Sequence, residues 1–249
     1  RSRDSHYTQF MVYDFDGDGK AELMCKTAPG SKDGTGVYVN QATDNATIKN
    51  ASNTKDWRNS NGRIDGGQEY LTVFEGLTGK AINTIAYYPN RNTKAELSDA
   101  TGSFNWDDRS GKTDKASYGN RGERYLAAVA YLDGPDGNAS GILCRGYYTY
   151  AYVWAVDFDG EKLKPRWLHR SDEKTKYSVV TYNAQGTGTT KSYTPSAATS
   201  GGGSKTMYGN GNHNMSVGDV DGDGCDEIIW GSAALDNDGT LLYATGFGH

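Results

Sequence analysis

Asp14-Phe15-Asp16-Gly17-Asp18-Gly19-Lys20-Ala21-Glu22 and, near the other end of the chain, Asp219-Val220-Asp221-Gly222-Asp223-Gly224-Cys225-Asp226-Glu227 follow one grammar. Carboxylates at positions 1, 3 and 5 of a tight loop converge on one point. Glycine at position 6 allows the sharp turn, position 7 (Lys20, Cys225) offers a backbone carbonyl, and a later glutamate (Glu22, Glu227) closes the shell. Ca²⁺, a hard cation that takes six to eight oxygens, fits this set. The closing glutamate stands at position 9 rather than 12, and it opens a run of strand character, not a helix. These are therefore strand-to-strand loops. A single match would leave an Asp/Gly-rich turn without metal open. Two matches with the same apolar insert and the same closing glutamate read as calcium sites.

Outward from these loops, strand-period or short apolar runs recur at 9–13, 22–26, 70–75, 80–88, 124–132, 140–148, 150–158, 163–169, 215–220, 227–230 and 240–244. Asp-Gly turns close several of them, at 16–17, 133–134, 159–160, 221–222 and 238–239. The chain has 33 Gly and 18 Tyr but only 5 Pro in 249 residues, which suits many short strands joined by tight turns. The expected class is all-β, with 1–249 forming one partial β-propeller domain. At roughly 50 residues per blade that makes about five blades, part of a seven- or eight-bladed ring. A β-sandwich with long loops is the structural alternative. Residues 40–61 and 185–214 lack a period and are expected to be loops, functional or mobile.

Function classes narrow from composition. A net charge of −5 argues against a nucleic-acid partner. No apolar stretch approaches the roughly 20 residues that span a bilayer, so no membrane partner is expected. Cys25, Cys144 and Cys225 show no zinc spacing and read as unpaired thiols, two on strands and one in a loop. The chain opens at Arg1 without a visible signal peptide and stops at Gly246-Phe-Gly-His249, straight after a strand-like run; it reads as a piece of something longer. Among weaker acidic clusters, Asp157 and Asp159 read as a plain turn, as do Asp133 and Asp136. Asp236 and Asp238 fit an ion site or a hairpin turn.

An ordered set of segments resembles the bacterial rhamnogalacturonan lyases of polysaccharide lyase family 11. It comprises Tyr13-Asp-Phe-Asp-Gly-Asp-Gly-Lys-Ala-Glu22, Asp33-Gly-Thr-Gly36, Asn59-Ser-Asn-Gly-Arg63, Glu69-Tyr-Leu-Thr-Val-Phe74, Tyr118-Gly-Asn-Arg121, Arg124-Tyr-Leu-Ala-Ala-Val-Ala-Tyr-Leu-Asp-Gly134, Arg145-Gly-Tyr-Tyr148, Gly209-Asn-Gly-Asn-His-Asn214, Val217-Gly-Asp-Val-Asp-Gly-Asp-Gly224 and Gly246-Phe-Gly-His249. The resemblance covers nearly the whole chain. It implies an eight-bladed propeller holding several Ca²⁺ ions, secreted, and cleaving the rhamnogalacturonan I backbone of pectin by β-elimination.

In such an elimination the C5 proton of a galacturonate is a poor carbon acid beside a carboxylate. Ca²⁺ on that carboxylate offsets the charge that develops, and a Lys, Arg or His takes the proton. The resemblance places His213 and His249 in or near the central cleft, with calcium or substrate contact. From the residues alone, a hydrogen-bonded histidine at a strand start is an equal reading. Arg145 is a candidate partner for a substrate carboxylate. Arg121 and Arg124 are further candidates, though arginines in such folds more often tie loops to carboxylates of their own chain. His6 and His169 read as structural.

The second Asp loop follows His213 closely and is the one expected to border the cleft. The resemblance puts the catalytic base outside this chain, together with an N-terminal region and a C-terminal part, and a second chain is one way to complete the ring. The alternative reading is a non-catalytic calcium-binding propeller module for carbohydrate binding or adhesion.

Overall fold

The computed structural model describes residues 7–8, 10–58, 60, 62, 64, 66–88, 90, 106, 124–146, 148–196 and 201–248. Strands dominate them. A short β1 (Tyr7–Thr8) is followed by sheet I, an antiparallel meander of β2 (Phe10–Tyr13), β3 (Glu22–Thr27), β4 (Tyr70–Glu75) and β5 (Ala81–Ala86). Next, β6 (Arg124–Tyr125) pairs in parallel with β1. Sheet II is a six-stranded meander: β7 (Ala127–Ala130), β8 (Ser140–Gly146), β9 (Ala151–Phe158), β10 (Leu163–Ser171), β11 (Tyr177–Tyr182) and β12 (Gly188–Tyr193). Sheet III comprises β13 (Met215–Gly218), β14 (Glu227–Trp230), β15 (Ala233–Leu235) and β16 (Leu241–Ala244). No described helix is long and apolar enough to cross a membrane.

The all-β expectation holds, and each strand-like run contains a strand. The described residues form three meander sheets beside the β1–β6 pair; the count of about five blades over 1–249 takes in 91–105 and 107–123, which lie outside them. Much chain goes into the long 28–69 excursion between β3 and β4, and into the fifth and sixth strands of sheet II. The expectation of a loop across 185–214 also fails at β12. Its residues Gly-Thr-Thr-Lys-Ser-Tyr are exposed along almost their whole length, so no buried face imposes a period. Pairing with β11 alone makes them a strand. Inside 40–61 there is a 3-10 turn (Val39–Gln41) and a four-residue helix, α1 (Ala46–Lys49). Asn45 caps α1 by accepting from Thr47 N and Ile48 N.

Packing follows the strand period of two. Along β9, Tyr152, Trp154 and Val156 face a core shared with Met11, Phe15, Met24, Leu71 and Val73 of sheet I. The alternate residues Ala151, Val153 and Ala155 face a second core with Ile228, Trp230, Ala233 and Leu235 of sheet III. Sheet II is thus covered on both faces, which is why its central strands read as continuous apolar runs. A third cluster, including Val39, Ile48, Tyr70 and Phe74, lies where the 28–69 excursion covers the far face of sheet I.

These meanders give the molecule two ends. At one end lie the β2–β3, β7–β8, β9–β10, β13–β14 and β15–β16 turns, rich in Asp and Gly. They touch one another: Asn138 Nδ2 donates to Asp16 O at 3.1 Å, Asn237 Nδ2 donates to Leu132 O at 2.9 Å, and Arg166 pairs with Asp133. At the other end lie Arg124, Tyr148, Lys174, the 204–214 segment and the residues after β16. The first strands β2, β7 and β13 lie side by side, with β7 in the middle.

Candidate functional site

Both Asp loops fold as tight turns whose carboxylates accept from the loop's own backbone. In the first, Asp14 accepts from the backbone N–H groups of Gly17 (2.8 Å), Asp18 (3.1 Å) and Gly19 (2.9 Å), and Glu22 reaches back to Phe15 N at 3.0 Å. In the second, Asp219 accepts from Gly222 N (2.6 Å) and Gly224 N (3.1 Å), and Glu227 accepts from Val220 N at 2.7 Å. Lys20 and Cys225, at position 7, donate their N–H groups to Asp18 and Asp223. Gly19 and Gly224 sit at φ 86° and 93°, the left-handed region where a side chain would strain the turn.

Acidic oxygens meet in three groups. Asp14, Asp16 and Asp18 form one; Asp219, Asp221 and Glu227 a second; Asp221, Asp223 and Asp236 a third, with oxygens inside each group within 4.8 Å of one another. Oxygens on opposite sides of one hard cation lie roughly 5 Å apart, so each group matches a shared ion. An independent sign is in the second group. Glu227 is fully buried and its Oε1 has no hydrogen-bond partner. An orphaned buried carboxylate oxygen is costly unless something positive meets it. Burial pushes the Glu22, Glu227 and Asp236 carboxyls above their ordinary values, and neighbouring aspartates add to each shift. Lys20 does the reverse to Asp18: its amino group, 3.1 Å away, holds that carboxyl below the usual range. The metal set expected from sequence therefore gathers in part. Asp236 joins the second loop, whereas Asp238 and Glu22 fall outside the three groups.

His213 lies elsewhere. β13 pairs so that Met215 faces Trp230 and Gly218 faces Glu227, which puts His213 before one end of the strand and the Asp loop after the other. At about 3.3 Å per strand residue that separation is roughly 15–20 Å. His213, expected among the metal ligands, joins none of the three acidic groups, because sequence adjacency along an extended strand is distance, not contact. His213 is exposed. Its Nδ1 accepts from Arg124 at a long 3.4 Å, so in this geometry the neutral ring carries its proton on Nε2. Arg124 itself lies over the Tyr148 ring, 5.8 Å from its centroid. His249, His6 and Arg121 lie outside the described residues.

Arg145, expected to meet a substrate carboxylate, is turned inward. It is 1% exposed and donates to Glu69 at 2.6 and 3.3 Å and to the Tyr125 hydroxyl at 2.7 Å. Lys26 pairs with the same Glu69 at 3.0 Å. This buried cluster joins sheet I to sheet II, because β8 places position 145 between them. A desolvated guanidinium requires an internal partner, and Glu69 is that partner. His169, read as structural, is fully buried, bonded to Gly239 O and Ser171 Oγ, and burial pulls its pKa down to about 4. All three cysteines are free, Cys25 on β3, Cys144 on β8 and Cys225 in the Asp loop.

Sequence reasoning missed a cavity on the His213 end, between sheets II and III, with Tyr148, Lys174, Tyr208 and Phe247 on its walls. No sequence signal announced it, because Tyr148, Lys174 and Phe247 come from segments other than the 185–214 stretch that supplies Tyr208.

A family model described as rhamnogalacturonan lyase family 11, C-terminal domain, matches residues 2–191 and again 174–249. The chain is 42% identical over 98% of its length to the rhamnogalacturonan exolyase YesX of Bacillus subtilis (strain 168), covering 31% of that protein. It is equally 42% identical over 98% to the rhamnogalacturonan endolyase YesW of the same organism, covering 30% of it. It spans, then, about a third of these relatives' length. The crystal structure of rhamnogalacturonan lyase YesW is similar with a TM-score of 0.69 and 39% identity, across 100% of this chain and 33% of that one. The Bacillus licheniformis rhamnogalacturonan lyase PL11 gives 0.69 and 42%, across 98% of this chain and 32% of that one.

Proposed function

This chain belongs to rhamnogalacturonan lyase family 11, and from that premise we propose that the protein cleaves the rhamnogalacturonan I backbone of pectin by β-elimination at galacturonate. The observation that carries the reading is the end of the molecule opposite the Asp turns. There an exposed His213 meets Arg124, which in turn lies over Tyr148 on the wall of an aromatic cavity. Pectin is met outside the cell, so secretion belongs to the proposal.

The architecture we propose is a propeller, its ring completed by further blades or by a second chain. Side-by-side first strands β2, β7 and β13, with meanders running outward from each, support it. The cation we propose is Ca²⁺, held by Asp14, Asp16 and Asp18 in one loop and by Asp219, Asp221, Asp223, Glu227 and Asp236 in the other. Bound there, Ca²⁺ supplies the positive charge that lets converging carboxylates coexist in a tight turn. Because these loops lie at the far end from His213, they fasten blade turns and take no part in bond breaking. Arg124 orients His213 toward the substrate side. The base that removes the C5 proton is assigned to the part of the family's length that this chain does not span.

The test uses the complete protein and rhamnogalacturonan I with calcium present, following absorbance of the unsaturated uronate product. Calcium-dependent product formation is expected. Binding of the oligosaccharides without any product would instead favour the non-catalytic module, and no interaction at all would leave neither reading standing.

A further inference from the structure

A cavity of about 430 Å³ opens between sheets II and III at the His213 end. Sites for one small ligand occupy roughly 300–1,000 Å³. Its walls are locked by Asn210, which is fully buried. Asn210 Nδ2 donates to Ser204 O at 3.3 Å and Thr206 O at 2.6 Å, while its Oδ1 accepts from Gly248 N and Ser232 Oγ, both at 3.0 Å. Gly209 N donates to Thr149 O at 2.8 Å, fastening the same segment to the β8–β9 connection. Three stretches distant in sequence are thereby held as a preformed concavity.

Its chemistry is particular. Tyr148 and Tyr208 are half-buried, the latter edge-on to Tyr150 at 5.8 Å, and Phe247 stands 74% exposed at the mouth. Aromatic faces carry negative quadrupole charge and suit the C–H face of a pyranose. Lys174, exposed on the same wall, is engaged in no ion pair among the described residues. A single cation matches a single carboxylate. Tyr148, on the cavity wall, also lies under Arg124, the residue that holds His213, so the cavity adjoins the rim already described.

We propose that this cavity is a subsite for one uronate residue of the polysaccharide, with Lys174 meeting the carboxylate and Tyr208 and Phe247 receiving the ring. The choice of a uronate rests on the lyase reading above; the cavity, its cation and its aromatic walls do not.

Calorimetric titration of the complete protein tests it, using a galacturonate–rhamnose disaccharide and the same sugar with its carboxyl reduced to an alcohol. Lys174→Ala is expected to weaken the acidic sugar about three- to tenfold, as for one partly exposed charge-assisted contact, and to leave the reduced sugar unchanged. Phe247→Ala should weaken both. Wild-type affinity for both sugars in both variants would overturn the inference, and product formation by the wild type would then leave the lyase reading intact. Carboxyl-dependent binding by a wild type that makes no product would support the subsite and sink the lyase reading. A wild type that binds neither sugar would overturn the subsite.

Discussion

At the first Asp loop the position-2 side chain, Phe15, is fully buried in the core between sheets I and II, whereas its counterpart Val220 in the second loop is 52% exposed. Charge differs in the opposite sense. The first loop carries its own cation, Lys20 on Asp18. The second has Cys225 at that position and draws in Asp236 from the next turn as well, so its carboxylates converge without an internal positive charge. One loop is held by the core and partly neutralised. The other has no internal cation to offset its carboxylates. Identical grammar thus serves two different balances of packing against electrostatics.

The sharpest way to break this comparison is at position 2. Phe15→Ala should destabilise the fold by about 3–5 kcal/mol, as for a buried aromatic, and Val220→Ala by no more than about 0.5 kcal/mol. Denaturant unfolding of both variants measures this; similar losses would end the contrast. Calcium comes next. Titrating it to a hundredfold excess over Kd should stabilise each site by about 2.7 kcal/mol, read as a rise in Tm. Asp221→Asn, which serves two of the three acidic groups, should remove more of that rise than Asp16→Asn, which serves one.

Exchanging the cation at position 7 sharpens the comparison further. Cys225→Lys should weaken calcium at the second loop by about tenfold, or about 1.4 kcal/mol, and Lys20→Ala should strengthen it at the first. Affinities from calcium titration with each loop intact in turn would decide. The smallest effect is on pH. The Glu227 carboxyl is raised above 4.5, chiefly by burial. A raised folded-state pKa favours the fold below the ordinary glutamate range and loses that contribution as pH climbs through the folded value. Calcium-free protein should therefore weaken across that rise, Glu227→Gln should flatten the loss, and added calcium should oppose it. Stability measured against pH in a chelator would show a slope unchanged by Glu227→Gln if the burial argument is wrong.

Much of the fold was legible because its signals are local. Tyr70–Glu75 and Glu227–Trp230 appear with the limits their apolar runs predicted, and each is flanked by turns with their own residue signatures. β1, β11, β12 and β15 lie outside the predicted runs. β12 has no buried face, and β15 is three residues of Ala-Ala-Leu whose strand geometry comes from its neighbours. The candidate site was read unevenly for the same reason. Asp14, Asp16, Asp18, Asp219, Asp221 and Asp223 meet within single turns, so spacing alone finds them. Asp236 had a local signal of its own, but that it joins the second loop from the turn of another hairpin did not; Arg145 finds Glu69 from a different sheet, and Glu69 has no signal at its own position.

By itself the sequence determined that this protein is all-β, that two of its turns gather carboxylates, and which family it belongs to. These follow from short-range rules: the period of a strand, the geometry of a nine-residue loop, the order of motifs. That the Asp turns and His213 occupy opposite ends of the molecule follows from how the strands run within the stacked sheets. Only the tertiary structure turned Arg145 inward and let Tyr148, Lys174, Tyr208 and Phe247 enclose a cavity. An extended strand separates near neighbours by roughly 3.3 Å per residue, while sheet packing brings distant ones together, so a contact between elements is fixed only when the sheets stack.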